Sequence, residues 1–180
     1  MRAGRLVRFT RPFEPGMVDG YVRGVGRELF LIALVSDQIH FDGFQAYRIC
    51  DIRGLRDHPY ATFIERALGK RHERRPRAPR IGLGSLRQLL LSAAAAFPLV
   101  TIHREEVAPD VCHIGRIVKV ANGRLGMLEI GPNADWDEEP REYSLKELTK
   151  VEFGGAYEDA LHIVGGDPPA KSLRTKANRR

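Results

Sequence analysis

The chain has 180 residues, a formal net charge of +6 and 43% hydrophobic residues, enough for one generous core or two small ones. No apolar run is long enough to cross a bilayer, and the Met-Arg-Ala-Gly start lacks the apolar stretch of a secretory signal, so neither membrane insertion nor export is expected. Cys50 and Cys112 are widely spaced with no CxxC, which fits a reducing, bacterial cytoplasm better than a disulfide scaffold.

In chain order, a strand is expected near Leu6 to Thr10, followed by "GYVRGVGRELFLIAL" from Gly20. Gly20, Gly24 and Gly26 lie in a strand pattern with no helix after it, so they are not read as a phosphate cradle. The stretch "HFDGFQAYRICDIRGLRD" from His40 divides into a turn at Asp42-Gly43, an alternating strand from Phe44 to Ile49, a short break at Asp51-Ile52 and a last strand. A helix around Ala61 to Gly69 closes the first half. From Arg66 to Arg80 seven basic residues face Glu73 alone, a local charge of +6. Being rich in Pro and poor in large apolar side chains, this segment is expected to be a mobile linker.

Ser85 and Gln88 then form a capping-box pattern, and Leu86, Leu89, Leu90, Ala93 and Phe97 fall on one helical face that Pro98 ends. "GLGS" before it reads as a loop and cap. Five short β-rich runs follow: Leu99 to Arg104, His113 to Val120, Leu125 to Ile130, Glu142 to Leu145 and Thr149 to Phe153. Asn122-Gly123 marks a two-residue hairpin, whose type I′ turn needs positive φ twice. A short helix around Tyr157 to Val164 precedes a tail from Asp167 with a charge of +4, so the rest of the chain carries −4. The basicity belongs to the linker and the tail.

The halves repeat. Gly20 aligns with Gly115, Val22 with Ile117 and Val25 with Val120, and Asp42 and Asp137 each lie 22 residues after their glycine. Further on, with one inserted residue, Tyr47 matches Tyr143, Ile49 Leu145, Asp51 Glu147, Ile52 Leu148 and Leu55 Val151, with "IERAL" from Ile64 against "YEDAL" from Tyr157. This spacing indicates an internal duplication of one structural unit. Five short strands with a break before the last describe a small, strongly bent barrel, whose closure would remove exposed edges. The expected architecture is mainly β with short helices: two duplicated five-stranded small barrels joined by a basic linker. Residues 1–69 form the first barrel and helix, 70–82 the linker, 83–166 the second barrel with its leading helix, and 167–180 a disordered basic tail.

This arrangement, with Ile52-Arg53-Gly54 near the last strands, resembles the Sm-like (LSM) family, itself close to SH3-type barrels. The resemblance implies a uridine pocket on an oligomeric ring, built from that Arg and from an Asp-containing hairpin whose counterpart here is Asp37-Gln38-Ile39-His40. The second copy has Leu148-Thr149-Lys150 with no Gly. The RNA-contacting candidates are therefore Asp37, His40, Arg48 and Arg53, with Arg71, Arg74, Arg75 and Arg77 of the linker as phosphate contacts.

Other chemistry is less favoured. His103, Cys112 and His113 have no zinc-like spacing, and neighbours on one strand face opposite ways, so no metal site is expected. Asp135, Asp137, Glu138 and Glu139 around Trp136 read as a solvated loop tip, and no nucleophile motif stands out. No enzyme activity and no cofactor are expected. Two functions remain. One is RNA binding within a ribonucleoprotein or regulatory assembly, where about six linker charges on single-stranded RNA would give a log–log salt slope of roughly −4. The other is a protein-interaction or scaffold module, pairing with itself as a homo-oligomer or with another protein and without nucleic acid.

Overall fold

The computed structural model describes residues 4–77, 80–170 and 172. The first half contains β1 (Leu6–Arg11), β2 (Glu14–Val25), β3 (Leu29–Val35), β4 (Phe41–Arg48), a 3₁₀ turn at Ile49–Asp51, β5 (Arg53–Asp57) and α1 (Ala61–Lys70). The second contains α2 (Leu86–Ala96), β6 (Val100–His103), β7 (Cys112–Ala121), β8 (Arg124–Glu129), β9 (Arg141–Ser144), a 3₁₀ turn at Leu145–Glu147, β10 (Lys150–Phe153) and α3 (Ala156–Gly165). Local signals act where the sequence places them. Ser85 Oγ accepts a hydrogen bond from Gln88 N at 3.2 Å and starts α2. Asn122 and Gly123, at φ 52° and 72°, make the hairpin between β7 and β8.

All ten strands join one antiparallel sheet in the order β5-β1-β2-β3-β4-β10-β6-β7-β8-β9. Each half contributes the same permutation, last strand first and then the other four in sequence. Several matched residues also take matched places in the ladder. Gly20 lies between Val7 and Leu34, and Gly115 between Val100 and Glu129. Tyr47 pairs with Phe30 opposite Val25, and Tyr143 with Leu125 opposite Val120. A register shift follows each glycine at the same distance, between Val22 and Gly24 and between Ile117 and Lys119. Such bulges sharpen the local twist of both halves equally.

The expectation of two separately closed barrels is not met, because the sheet is open. β4 finds its second neighbour in β10 of the other half, which leaves β5 and β9 as outer edges. The main apolar cluster accordingly draws on both halves, with Tyr21, Leu31, Phe44 and Ala46 beside Leu89, Ile102, Met127, Val151 and Phe153. A second cluster, with Val7, Phe9, Phe30, Ile32 and Tyr47, fills the other face of the first half. Trp136, expected at a solvated tip, packs with Leu99, Ile130 and Leu161 and donates its indole N–H to Gly165 O at 3.3 Å.

The basic linker also departs from expectation, since much of it lies against the first half. Arg71 Nη1 donates to Gln38 O at 2.7 Å and to Ile39 O at 2.9 Å. The Arg75 guanidinium sits 3.8 Å from the Tyr21 ring centre and donates to Gly4 O at 3.1 Å. Ile81 and Leu83 pack on the main cluster. Carbonyls and a ring face thus offset the entropy of ordering. Of the tail expected to be disordered, Lys171 and residues 173–180 lie outside the described residues. Among the described residues no helix is long and apolar enough to cross a membrane.

Candidate RNA-contacting surface and the joint between the halves

Strand alternation gives the β4·β10 joint two different faces. On the core face Val151 lies opposite Ala46 and Phe153 opposite Phe44. The rings of Phe44 and Phe153 stack at 5.7 Å, and Phe97 covers Phe153 at 5.1 Å. The backbones come very close where β4 begins. Gly43 has φ +69°, and a Cβ there would sit 2.5 Å from Gly155 N, so only glycine fits. Next to it Asp42 Oδ1 accepts from Ala156 N at 2.8 Å and caps α3 from the other half.

The opposite face carries buried charge. Lys150 Nζ is 2.8 Å from Glu14 Oε1 and 3.0 Å from Glu152 Oε1, and Glu152 Oε2 accepts from Gln45 Nε2 at 2.7 Å. His103 Nε2 lies 2.6 Å from Glu152 Oε1. Burial works to raise the Glu152 pKa, but His103 and Lys150 beside it hold it down at about 2. Arg11, from the first half, is fully buried and makes a two-pronged pair with Glu105 of the second, at 3.0 and 2.5 Å, under the Tyr47 ring at 4.7 Å. Burial opposes the charge on Glu105, yet Arg11 and Thr149 lower its pKa overall. The sequence offered one signal for this network, the alternation of Lys150 and Glu152 in an otherwise apolar strand.

The residues expected to form an RNA pocket are dispersed. Asp37 and His40 sit in the turn before β4, whereas Arg48 ends that strand, about 23 Å from its first residue in an extended chain, and Arg53 begins β5. His40 is held by Glu73 and by Arg71 Nη1 at 3.0 Å from its Nε2. Arg48 pairs with Asp51 at 2.6 and 3.1 Å and with Glu106 of the second half, and those bonds raise its pKa. Arg53 donates to Cys50 O and Ile52 O at 2.5 and 3.0 Å, fastening the 3₁₀ turn. Arg74 and Arg77 are exposed. Arg48 borders a half-open groove of about 660 Å³ at the end of the joint, with Leu29, Ala46, Leu145 and Leu148 in its floor.

His103 and Cys112 are paired across β6 and β7, while His113 turns to the other face, 3.0 Å from both Glu129 and the Tyr143 hydroxyl. Among the described residues, no three His, Cys, Asp or Glu side chains are placed to hold a metal ion.

A different surface brings together the residue types that suit single-stranded nucleic acid. α1 buries Ile64 and Leu68, and at 3.6 residues per turn Phe63, Arg66, Ala67 and Lys70 fall on the opposite side. Phe63 is 62% exposed and Tyr60, at the helix start, 65%. With Pro59 and Thr62 they border an open groove of about 650 Å³. Two exposed aromatic rings add nothing to the core, and two cations flank them. The sequence contained this pattern at 3–4-residue spacing, but linker charge masked it.

No family model, curated protein or solved structure matches this chain.

Proposed function

We propose that the protein is a non-catalytic protein, Sm-like in the strand order of each half, that binds single-stranded RNA through the outer face of α1. The observation that carries this reading is the pair of exposed rings, Tyr60 and Phe63, beside Arg66 and Lys70 on one helix face. Bases stack on aromatic side chains whatever their identity, and cations spaced along the path meet the phosphates. The repeated strand order supports the Sm-like part of the reading, and the exposed Arg74 and Arg77 extend the cationic path beyond α1. Arg71 and Arg75 are engaged by carbonyls and by Tyr21, so the cations available to phosphate are fewer than linker charge alone suggests.

The test is fluorescence anisotropy with a labelled single-stranded oligoribonucleotide across a salt series. Four cations, Arg66, Lys70, Arg74 and Arg77, give a log–log slope of roughly −3. Phe63→Ala and Tyr60→Ala each weaken binding by about 5- to 160-fold, since a stacked base contributes about 1–3 kcal/mol. Neither ring is buried, so both variants keep the wild-type melting temperature. No binding at low salt, or binding that both variants retain in full, overturns the reading. A protein-interaction role has one observation of its own, the outward Tyr157, Ile163 and Val164 of α3, which are 56%, 73% and 75% exposed. Self-association that Ile163→Asp abolishes, with no oligoribonucleotide binding at low salt, would favour that second reading.

A further inference from the structure

The internal joint defines what these strands need in order to pair across halves, and the outer edges can be compared with it position by position. By the repeat, β9 corresponds to β4 and β5 to β10, because Tyr143 matches Tyr47 and Leu55 matches Val151. If a second copy placed its β5 along β9 as β10 lies along β4, Tyr143 would face Gly54, Glu142 would face Leu55, Arg141 would face Arg56 and Pro140 would face Asp57.

Each device that makes the joint is missing from that pairing. The stacked Phe44 and Phe153 become Pro140 and Asp57, and the apolar Ala46–Val151 pair becomes Glu142–Leu55. The Gln45–Glu152 hydrogen bond becomes two arginines directly opposite, which repel. Pro140 has no N–H to donate to a ladder. The close approach at Gly43 is lost as well: Glu139 stands at the matching position, where the joint tolerates no Cβ, and His58-Pro59 replaces Gly154-Gly155. Charged side chains and a proline are what proteins place on sheet edges to block strand addition. Along β5, Arg53, Gly54, Arg56 and Asp57 are exposed, with Asp57 bridged to Arg5.

We propose that the chain is a closed pair: the partner of each half is the other half of the same chain, and neither β5 nor β9 accepts a further copy. Strand pairing therefore brings no second α1 face into the particle. This inference rests on strand pairing alone and survives if RNA binding fails.

Disulfide trapping tests it. In a Cys50→Ser, Cys112→Ser background, Leu55→Cys and Glu142→Cys are placed together. They lie on opposite edges of one sheet, so only edge pairing between chains brings them within bonding distance. After oxidation the expected products are monomer plus the level of dimer that Leu55→Cys gives alone, with a native mass of 20.3 kDa for the unaltered chain by light scattering. A ladder of disulfide-linked multimers, or a discrete ring, overturns the proposal. A larger native mass without the ladder places self-association on another surface and leaves both edges closed. A converted protein carrying Glu139→Gly, Pro140→Phe, Arg141→Gln and Glu142→Ala at and just before β9, with Leu55→Val, Arg56→Glu, Asp57→Phe, His58→Gly and Pro59→Gly at and just after β5, should assemble with rising concentration if these residues are what block pairing. Retention of the monomer mass by a folded converted protein overturns the assignment of the block to them.

Discussion

Both halves place a helix directly after their last strand, and the two helices present opposite surfaces. α1 turns Phe63, Arg66 and Lys70 outward, whereas α3 exposes Tyr157, Ile163 and Val164 with Asp159. Beneath them the strands follow one order and share the glycine and the bulge that follows it. Positions that pair across strands are tied to their neighbours' geometry, and a change there disturbs several contacts together. Exposed helix positions carry no such tie, so two copies of one scaffold can hold different surfaces.

The equivalence of the halves can be broken at its most constrained point. A Cβ on Gly115 would sit 2.1 Å from Leu128 O, and one on Gly20 2.7 Å from Ala33 O. Gly115→Ala should therefore cost more than about 4 kcal/mol or abolish folding, with Gly20→Ala less damaging. Urea unfolding of both measures the gap, and equal losses would show that the sheet relaxes alike in both halves.

The joint is the next place to press. Glu105→Ala takes from buried Arg11 its two-pronged partner and leaves Glu14, at 3.2 Å, as the remaining carboxylate, so it should cost about 3 kcal/mol by denaturant midpoint. The double change Arg11→Met with Glu105→Leu should recover most of that loss, because apolar replacement of a buried pair is often neutral. Failure to recover would assign the ion pair a larger share in holding the halves together.

Acid gives the smallest and most graded effect. Glu152 has a folded pKa of about 2 against an ordinary value of 4.5, so its stabilisation is full above about pH 4.5 and lost as pH falls towards 2. The amount is about 3 kcal/mol. In Glu152→Gln that part of the acid limb should flatten, which thermal melts from neutral to low pH would detect. An unchanged limb would place the sensitivity at Glu105.

Much of this fold is legible in the sequence because its signals are local or repeated. The Ser85–Gln88 cap, the Asn122-Gly123 hairpin and the matched tyrosines each need only a few neighbours or a second copy for comparison. The β4·β10 pairing joins residues about a hundred positions apart, with no turn between them to announce it. The same distance hid the fate of the linker. Arg71 and Arg75 read as free charge until Gln38, Ile39 and Tyr21 are brought beside them. The proposed pocket scattered for a simpler reason, since Asp37 and Arg53 flank the two ends of one strand and an extended strand keeps its ends apart.

Because β4 and β10 belong to one polypeptide, their meeting does not depend on how much protein is present. The tether fixes a local concentration that dilution leaves untouched, so the joint stays formed at copy numbers where two free subunits would separate. A homodimer with two-fold symmetry must also show every surface twice. In the fused pair a substitution on α1 alters one site per particle and leaves α3 as it was.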